Sequence, residues 1–372
     1  MKNQYKSFFH KWKEQKKERK LEKLCMEYDV KKVQVDVETV LKNIKSILFL
    51  RDDNKIGDMV ISTYMYHEIK KQAPYICIDV LAGTNSCKVL EGSPDVNNVH
   101  IVDYKDETGK ESLIKELKAN NYDIVVDFAD VMSMRTLEII SKIEAKVNVG
   151  FCRGEYKLFD VSFTEKELDV HITERYSQFI EYIGLSKSNV IEYHYYGKEV
   201  YDLTLFEKGK KSIVINLFGA SKHRTFSGKS AVNLMKLLLE KNNVSIIVLT
   251  PKKYQDFVDK IIRKVSNGDV KAVLTTEITD VFGIIKRADV VISPDTSIVH
   301  IANLYKKPLV ALYRQSCAAK CWGPIYKHDK ILIAPGKTDD INAISMRDVV
   351  FATDDFEMHG RATNLATTNK SI

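Results

Sequence analysis

"ADVVISPDTSIVHIANLYKKPLVALY", residues 288–313, decides the fold. Two apolar, β-branched runs, "DVVIS" and "PLVALY", flank a segment from Ile298 to Tyr305 whose apolar residues recur at helical spacing. Runs of that kind with one helix between them read as neighbouring parallel strands, because only a crossover can bring the second run back in the same direction. Where the first strand gives way to the helix stand Pro294, Asp295, Thr296 and Ser297, all poor helix-interior residues. The reading is a helix start built to hold an anion, with Asp295 or Thr296 as the cap and the free N–H groups near Thr296 and Ser297 turned to the ligand. His300 lies one turn on, on the same side of the helix. A lone histidine there is more often a packed, satisfied residue than a catalytic one.

The same alternation spreads outward. In the second half "SIVINLF" from Ser212, "VSIIVLT" and "VKAVL" read as further strands, with helices near Lys229 to Lys241, Lys253 to Lys264 and Asp280 to Arg287. The first half offers strands at Ser46 to Leu50, Tyr75 to Leu81, Val99 to Val102, Asp123 to Asp127 and Lys146 to Val149. Helices are expected near Met59 to Lys71, Leu113 to Asn120, Met134 to Ile143 and Ile172 to Ile183. The expected fold is α/β, with two Rossmann-like doubly wound domains facing a cleft, and 372 residues suit two such domains. Expected boundaries are a basic arm at 1–44, an N-terminal Rossmann-like domain at 45–195, a linker at 196–211, a C-terminal Rossmann-like domain at 212–353 and a flexible tail at 354–372. "GLSKSNVIEYHYYGKEVYDLTLFEKGKK", residues 184–211, is polar and aperiodic, and reads as an acceptor-side flap running into the linker.

The net charge of +7 is almost all local. Residues 1–23 hold nine Lys or Arg against three Glu, with Phe8, Phe9 and Trp12 among them. That composition suits a basic amphipathic segment whose aromatics enter a lipid interface while its cations meet anionic headgroups; a solvated helix is the plainer alternative. Nucleic acid is not an expected partner, since the remaining surface is near neutral. No apolar run approaches the ~20 residues of a membrane span, and the lysine-rich start lacks the apolar core of a signal peptide, so the expected compartment is cytoplasmic. The six cysteines are scattered, and the C-x3-C pair Cys317 and Cys321 lacks the further ligands of a zinc site.

Two more loops leave strand ends. "FLRDDNKIGDMVIS" places Gly57 at a tight turn and Asp58 at or near a helix N-cap, an arrangement that is by itself an ordinary cap. Asp52, Asp53 and Asp58 could gather a cation, yet Arg51 and Lys55 can neutralise them without metal. "NLFGASKHRTFSGKS" lets the backbone at Gly219, Ala220 and Ser221 approach a ligand and sets Lys222, His223 and Arg224 beside it, as a diphosphate requires. G-x-G-x-x-G occurs nowhere, which argues against a dinucleotide.

In chain order, "KIGD" at 55–58, "SKHRTF" at 221–226, "DTSIVHIA" at 295–302 and "CWGP" at 321–324 resemble the lipopolysaccharide heptosyltransferases, glycosyltransferase family nine, over roughly residues 46–350. The resemblance implies the two-domain GT-B architecture, with the domain at 45–195 binding the acceptor and the domain at 212–353 the nucleotide-sugar. It implies inverting, metal-independent transfer of a sugar from a nucleotide diphosphate such as ADP-heptose to a hydroxyl on a lipid-linked core saccharide, peripherally at the inner face of the cytoplasmic membrane. The nucleotide-sugar is a substrate, so no cofactor is implied. By the same resemblance Asp58 is the catalytic base, with Gly57 and Arg51 on the acceptor side. Ser221, Lys222, Arg224, Thr225, Thr296 and Ser297 would bind the donor diphosphate, and Asp295, His300 and Asp256 the donor sugar and nucleotide. The chain departs from the family pattern in Ser297 for Gly, Phe226 for Trp, and Lys252, Lys253 and Tyr254 where an acidic residue is usual, with Asp256 as its substitute. A nucleotide-sugar epimerase of the same architecture and a non-catalytic glycolipid-binding member stay open as alternatives.

Overall fold

The apolar runs pair as two six-stranded sheets in which every pairing is parallel. The computed structural model describes residue 23 and residues 26–129, 132–164, 170–199, 202–336, 338–354 and 356. Strands β1 (Ser46–Arg51), β2 (Cys77–Gly83), β3 (Asn98–Val102), β4 (Ile124–Asp127), β5 (Val147–Phe151) and β6 (Val161–Phe163) form the first sheet, in the order β3-β2-β1-β4-β5-β6. Strands β7 (Lys211–Asn216), β8 (Val244–Pro251), β9 (Val270–Thr275), β10 (Val290–Pro294), β11 (Leu309–Tyr313) and β12 (Lys330–Ile333) form the second, in the order β12-β11-β10-β7-β8-β9. Both are doubly wound in the same way, and the chain changes direction between β1 and β4 and again between β7 and β10. Open sheets of this kind bind ligands beyond the carboxyl ends of the strands at that reversal.

The helices are α1 (Val37–Leu41), α2 (Ile56–Gln72), α3 (Glu107–Ala119), α4 (Met134–Ile143), α5 (Ile172–Tyr182), α6 (Gly228–Leu239), α7 (Gln255–Val265), α8 (Ile278–Arg287), α9 (Ser297–Leu304) and α10 (Ser316–Trp322). They cover the sheet faces, so the central strands read as unbroken apolar runs such as "ILFL" in β1. One apolar cluster passes from Phe49 and Met65 in the first half through Phe179 of α5 to Val299 and Ile301 of α9 in the second. The two lobes therefore share a core where α2 meets α9. Strands β6 and β12 were not expected: β6 is three residues long, and β12 alternates half-buried and exposed at a sheet edge.

Residues 184–199 correct a second expectation. They form no flap but lie across both lobes as an extended tie. On one side His194 stacks on His67 with ring centroids 3.9 Å apart, and the Tyr196 hydroxyl donates to Asp95 at 3.1 Å. On the other side Tyr195 stacks on Phe282 of α8 at 4.1 Å, while Glu192 pairs with Lys306 at 2.5 Å and Glu199 with Lys286 at 2.9 Å. The segment has no helical period because it has the two-residue period of an extended chain, with His194 and Tyr196 facing one lobe and Tyr195 the other.

The expected arm is also fastened where it is described: Lys31 Nζ donates to the Lys146 carbonyl and to Asp160, each at 2.7 Å, and Asp29 accepts from the Leu158 amide at 2.8 Å. The expectations for residues 1–22 and for the tail beyond 356 lie outside the described residues. Among the described residues no helix is long and apolar enough to cross a membrane.

Candidate active site

At the end of the first sheet the chain leaves β1 through Asp52, Asp53, Asn54 and Lys55 into α2. The helix starts earlier than its apolar pattern suggests, with Lys55 as N-cap, so Asp58 is not the cap but sits in the first turn. A carboxylate there is favoured by the helix dipole. Its Oδ2 lies 3.9 Å from Arg51 Nη1 and 3.7 Å from Lys55 Nζ, and only 14% of its side chain is exposed. Asp52 accepts a hydrogen bond from Tyr104 and Asp53 pairs with Lys55 at 2.9 Å, so the three aspartates do not converge.

Gly57 is where the lobes touch. A Cβ at residue 57 would come within 2.7 Å of His300 Cδ2 and 3.2 Å of Ser297 Cα, too near for any side chain without a shift. The bare backbone of the α2 start thus lies directly against the α9 start. His300 is the other half of that contact: it is buried, packed on Gly57, and burial beside His171 pulls its pKa down to about 3, which keeps it uncharged. It packs the seam and does not line the cleft.

The second lobe supplies the cradle. Thr296 is the N-cap of α9, its hydroxyl accepting from the Ile298 amide at 3.3 Å; Asp295 is not the cap. The start of α9 opens at the cleft, where Thr296, Ser297 and Ile298 line the wall; the Ile298 amide is spent on the Thr296 hydroxyl and the Val299 amide on the Thr296 carbonyl. Behind them Asn216, the last residue of β7, donates through Nδ2 to the Ser293 and Thr296 hydroxyls, each at 3.1 Å, and to the Phe218 carbonyl at 3.0 Å. This side chain was not singled out from the sequence, although a carboxamide closing the apolar run "SIVIN" at the reversal point was the signal. Thr225 lines the cavity beside the loop, and its hydroxyl is engaged within the loop: it donates to the Ser221 carbonyl at 3.0 Å and accepts from the Gly219 amide at 3.1 Å. Gly219 is needed there, because a Cβ would collide with the backbone of Arg224.

Among the loop's basic residues, Lys222 is exposed, His223 Nδ1 lies 3.1 Å from Asp340, and Arg224 Nη1 pairs with Asp295 at 3.0 Å. Arg224 and Asp295, expected in separate roles, therefore hold each other. Burial pushes the Asp295 carboxyl upward while Arg224 opposes it. The Ser221 hydroxyl is buried and finds no hydrogen-bond partner among the described residues. Asp256 stands exposed on the first turn of α7 and lines neither of the cavities at this site.

Between the lobes lies a cavity of about 420 Å³, walled by Ile56 and Lys88 from the first half and by Asn216, Phe218, Thr296 and Ser297 from the second. Lys88 reaches over its mouth to pair with Glu277, the N-cap of α8. A second cavity, about 620 Å³, borders the basic loop along Ser221, Lys222 and Tyr254. Tyr254 stacks flat on Phe218 at 3.9 Å, so one aromatic pair separates the two spaces. Of the expected residues, Gly57, Ser297 and His300 are in direct contact, with Asp58 and Thr296 adjoining them. Arg224 and Asp295 form a second group, and Asp256 stands apart. Asp58 lines neither cavity and stands one residue from the lobe contact, with Arg51 and Lys55 as its near charges. A half-buried carboxylate in one lobe, with neutral donors, a helix start and a basic loop in the other, can take a proton on one side while an anion is held on the other.

The sequence profile of glycosyltransferase family 9 (heptosyltransferase) matches residues 111–342. Over 312 residues the chain is 25% identical to a protein of Escherichia coli (strain K12) provisionally named lipopolysaccharide heptosyltransferase 4, covering 79% of this chain and 83% of that protein. The crystal structure of the glycosyl transferase family 9 from Veillonella parvula DSM 2008 shares the fold with a TM-score of 0.70 at 16% identity, over 85% of this chain and 97% of that one. Escherichia coli heptosyltransferase WaaC, solved with ADP, gives 0.67 at 15% identity, over 84% and 99%.

Proposed function

Because the chain belongs to glycosyltransferase family 9, the heptosyltransferases, we propose that it moves a heptose or related sugar from a nucleotide diphosphate donor such as ADP-heptose to a hydroxyl of a lipopolysaccharide core or similar glycolipid. The observation that carries this reading is the contact of Gly57 with Ser297 and His300, which brings the turn that bears Asp58 against the start of α9. A relative named for lipopolysaccharide and a similar fold solved with ADP support the substrate classes.

In this mechanism the acceptor oxygen attacks the anomeric carbon on the face opposite the diphosphate. The bond from that carbon to the diphosphate breaks, its electron pair leaves on the diphosphate, and the acceptor proton passes to Asp58. The sugar is delivered with inversion. Lys222, Arg224 and the amides at Thr296 and Ser297 oppose the charge growing on the leaving group, with the Ser221 hydroxyl as a further donor. Arg224 does so while tethered to Asp295, which fixes its direction. Asn216 acts through Thr296, holding the cap rather than the ligand. No step calls on a metal. The basic residues of the arm, with Phe8, Phe9 and Trp12, would hold the enzyme at the cytoplasmic membrane surface, where the acceptor lies.

Purified protein incubated with radiolabelled ADP-heptose and core acceptor should transfer label, and Asp58→Ala should not; full transfer by the variant would remove Asp58 from the base role. Donor turnover without acceptor would point instead to an epimerase. Deleting residues 1–23 should weaken flotation with anionic liposomes in a salt-sensitive way.

A further inference from the structure

Asp58 has a buried cation behind it. Arg51 ends β1 and is 4% exposed, with its guanidinium carbon 5.9 Å from the Phe128 ring and 5.6 Å from the Tyr176 ring. Its Nε donates to Ser62 Oγ at 3.0 Å and its Nη2 to the Tyr176 hydroxyl. Ser62 Oγ lies 2.7 Å from the Asp58 carbonyl and 3.1 Å from the Tyr176 hydroxyl, so one small network ties the arginine to the backbone of the turn that bears Asp58. Nη1 remains directed at Asp58 Oδ2 across 3.9 Å, near enough for its charge to act and too far for a hydrogen bond from Arg51. A charge held in such surroundings is costly unless an anion answers it. Lys55 stands at a similar distance, but its side chain is 63% exposed and its field is screened by solvent.

We infer that Arg51, locked by Ser62 and Tyr176, is a positioning residue for the transfer: it keeps the Asp58 carboxylate ionised and fixed in place at neutral pH, and it touches no reacting atom itself. This rests on Asp58 being the base. The other charged or titratable groups around the pair are Asp53 and Lys55 on the loop, Tyr66 on α2, Arg175 and Tyr176 on α5, Asp127 at the end of β4 and His300 on α9. Asp127 is already paired with Arg153, and His300 is uncharged, while Arg51 places a buried cation 3.9 Å from this carboxylate. Although burial works against its charge, Tyr176 and Asp58 hold Arg51 above even the ordinary arginine value, so it stays charged across the working range.

The test uses the full chain with Arg51→Gln, Arg51→Lys and Tyr176→Phe, each checked for an unchanged unfolding midpoint and ADP affinity. Two readouts run in parallel: the acid limb of kcat/KM for heptose transfer, and a carboxyl NMR titration of isotopically labelled aspartate, with Asp58→Asn identifying the resonance. Removing a facing cation raises a carboxyl by about 1–3 pH units, so Arg51→Gln should move both the limb and the Asp58 titration up by that much. Tyr176→Phe should move them in the same direction by less, with donor KM unchanged, and Arg51→Lys should restore most of the wild-type profile. An unmoved titration and limb in folded Arg51→Gln would overturn the role. Should that variant fail to fold, Tyr176→Phe decides, because it keeps the ring, and an unmoved limb there would equally overturn it. Lost transfer in Asp58→Asn together with an unmoved titration defeats Arg51 alone; full transfer in Asp58→Asn defeats the base and the positioning role together.

Discussion

The reversal points of the two sheets occupy the same place in the same strand order and are furnished in opposite ways. At the first, full charges are buried: Arg51 behind Asp58, and Asp127 paired with Arg153 at 2.9 Å, both members of that pair 2% exposed. Burial pushes Asp127 upward and Arg153 holds it down. At the second, the fully buried groups are neutral, with Asn216 joined to the Ser293 and Thr296 hydroxyls, while Lys222 and His223 stay outside on the loop and the ion pair of Arg224 with Asp295 is only partly covered. The difference follows from the proposed tasks. A wall that moves a proton needs a carboxylate whose surroundings fix its charge, and resident ions do that. A wall that receives an anion gains most from preorganised donors, and its own ion pair, Arg224 with Asp295, fixes the direction of one of them.

The contrast can be tested by substitution, beginning with the largest expected effect. Asp58→Asn should lower kcat by about 10²–10⁴-fold, the range of a general base, with ADP affinity by calorimetry unchanged; unchanged kcat would erase the proton-handling side of the comparison. Arg153→Met, which strands the Asp127 carboxylate, should cost about 3–5 kcal/mol in urea unfolding, and Asp127→Leu with Arg153→Met should recover much of it. At the seam between the walls, His300 has a folded pKa near 3 against 6.5 for an ordinary histidine, so the unfolded chain binds the extra proton. Its stabilising contribution is therefore complete above pH 6.5 and is lost as pH falls from there toward 3, by a few kcal/mol at most. Urea midpoints across that window should fall in the wild type and flatten in His300→Gln. Asn216→Ala removes neutral bonds only and should cost about 1–3 kcal/mol, with weaker ADP binding; a larger loss would mean that the second wall depends on its polar network as much as the first depends on its charges. Lys88→Ala, which breaks an exposed pair, should leave the unfolding midpoint in place. A clear drop there would show that the lobes are held at the cleft mouth and not at Gly57.

The parallel sheets were legible in the sequence because each central strand is an apolar run bounded by turn residues, and "DVVIS" and "PLVALY" pair as expected. The edge strands β6 and β12 were not, since three residues, or a half-exposed alternation, carry no such run. The start of α2 was misplaced because Ile56 and Gly57 face the partner lobe, so their apolar character belongs to the seam rather than to the helix's own pattern. At the site, strand-end loops located Asp58, Thr296 and Ser297, because the reversal points are set by topology alone. Pairings across the fold were out of reach. Arg224 and Asp295 are 71 residues apart in the chain and Arg51 and Tyr176 are 125 apart, and nothing local announces either contact. The tie at 184–199 was overlooked for a different reason: its period was two where a period near four was sought.

The missing methyl group at residue 57 acts as a gauge. With the bare backbone of Gly57 laid on the Ser297 backbone and the buried His300 ring, the spacing of the lobes is set by a contact that has no room for a methyl group. The working gap between proton acceptor and donor cradle is thus machined into one position, and graded substitutions there, Ala, Ser and then Val, would open it step by step like shims in a vice.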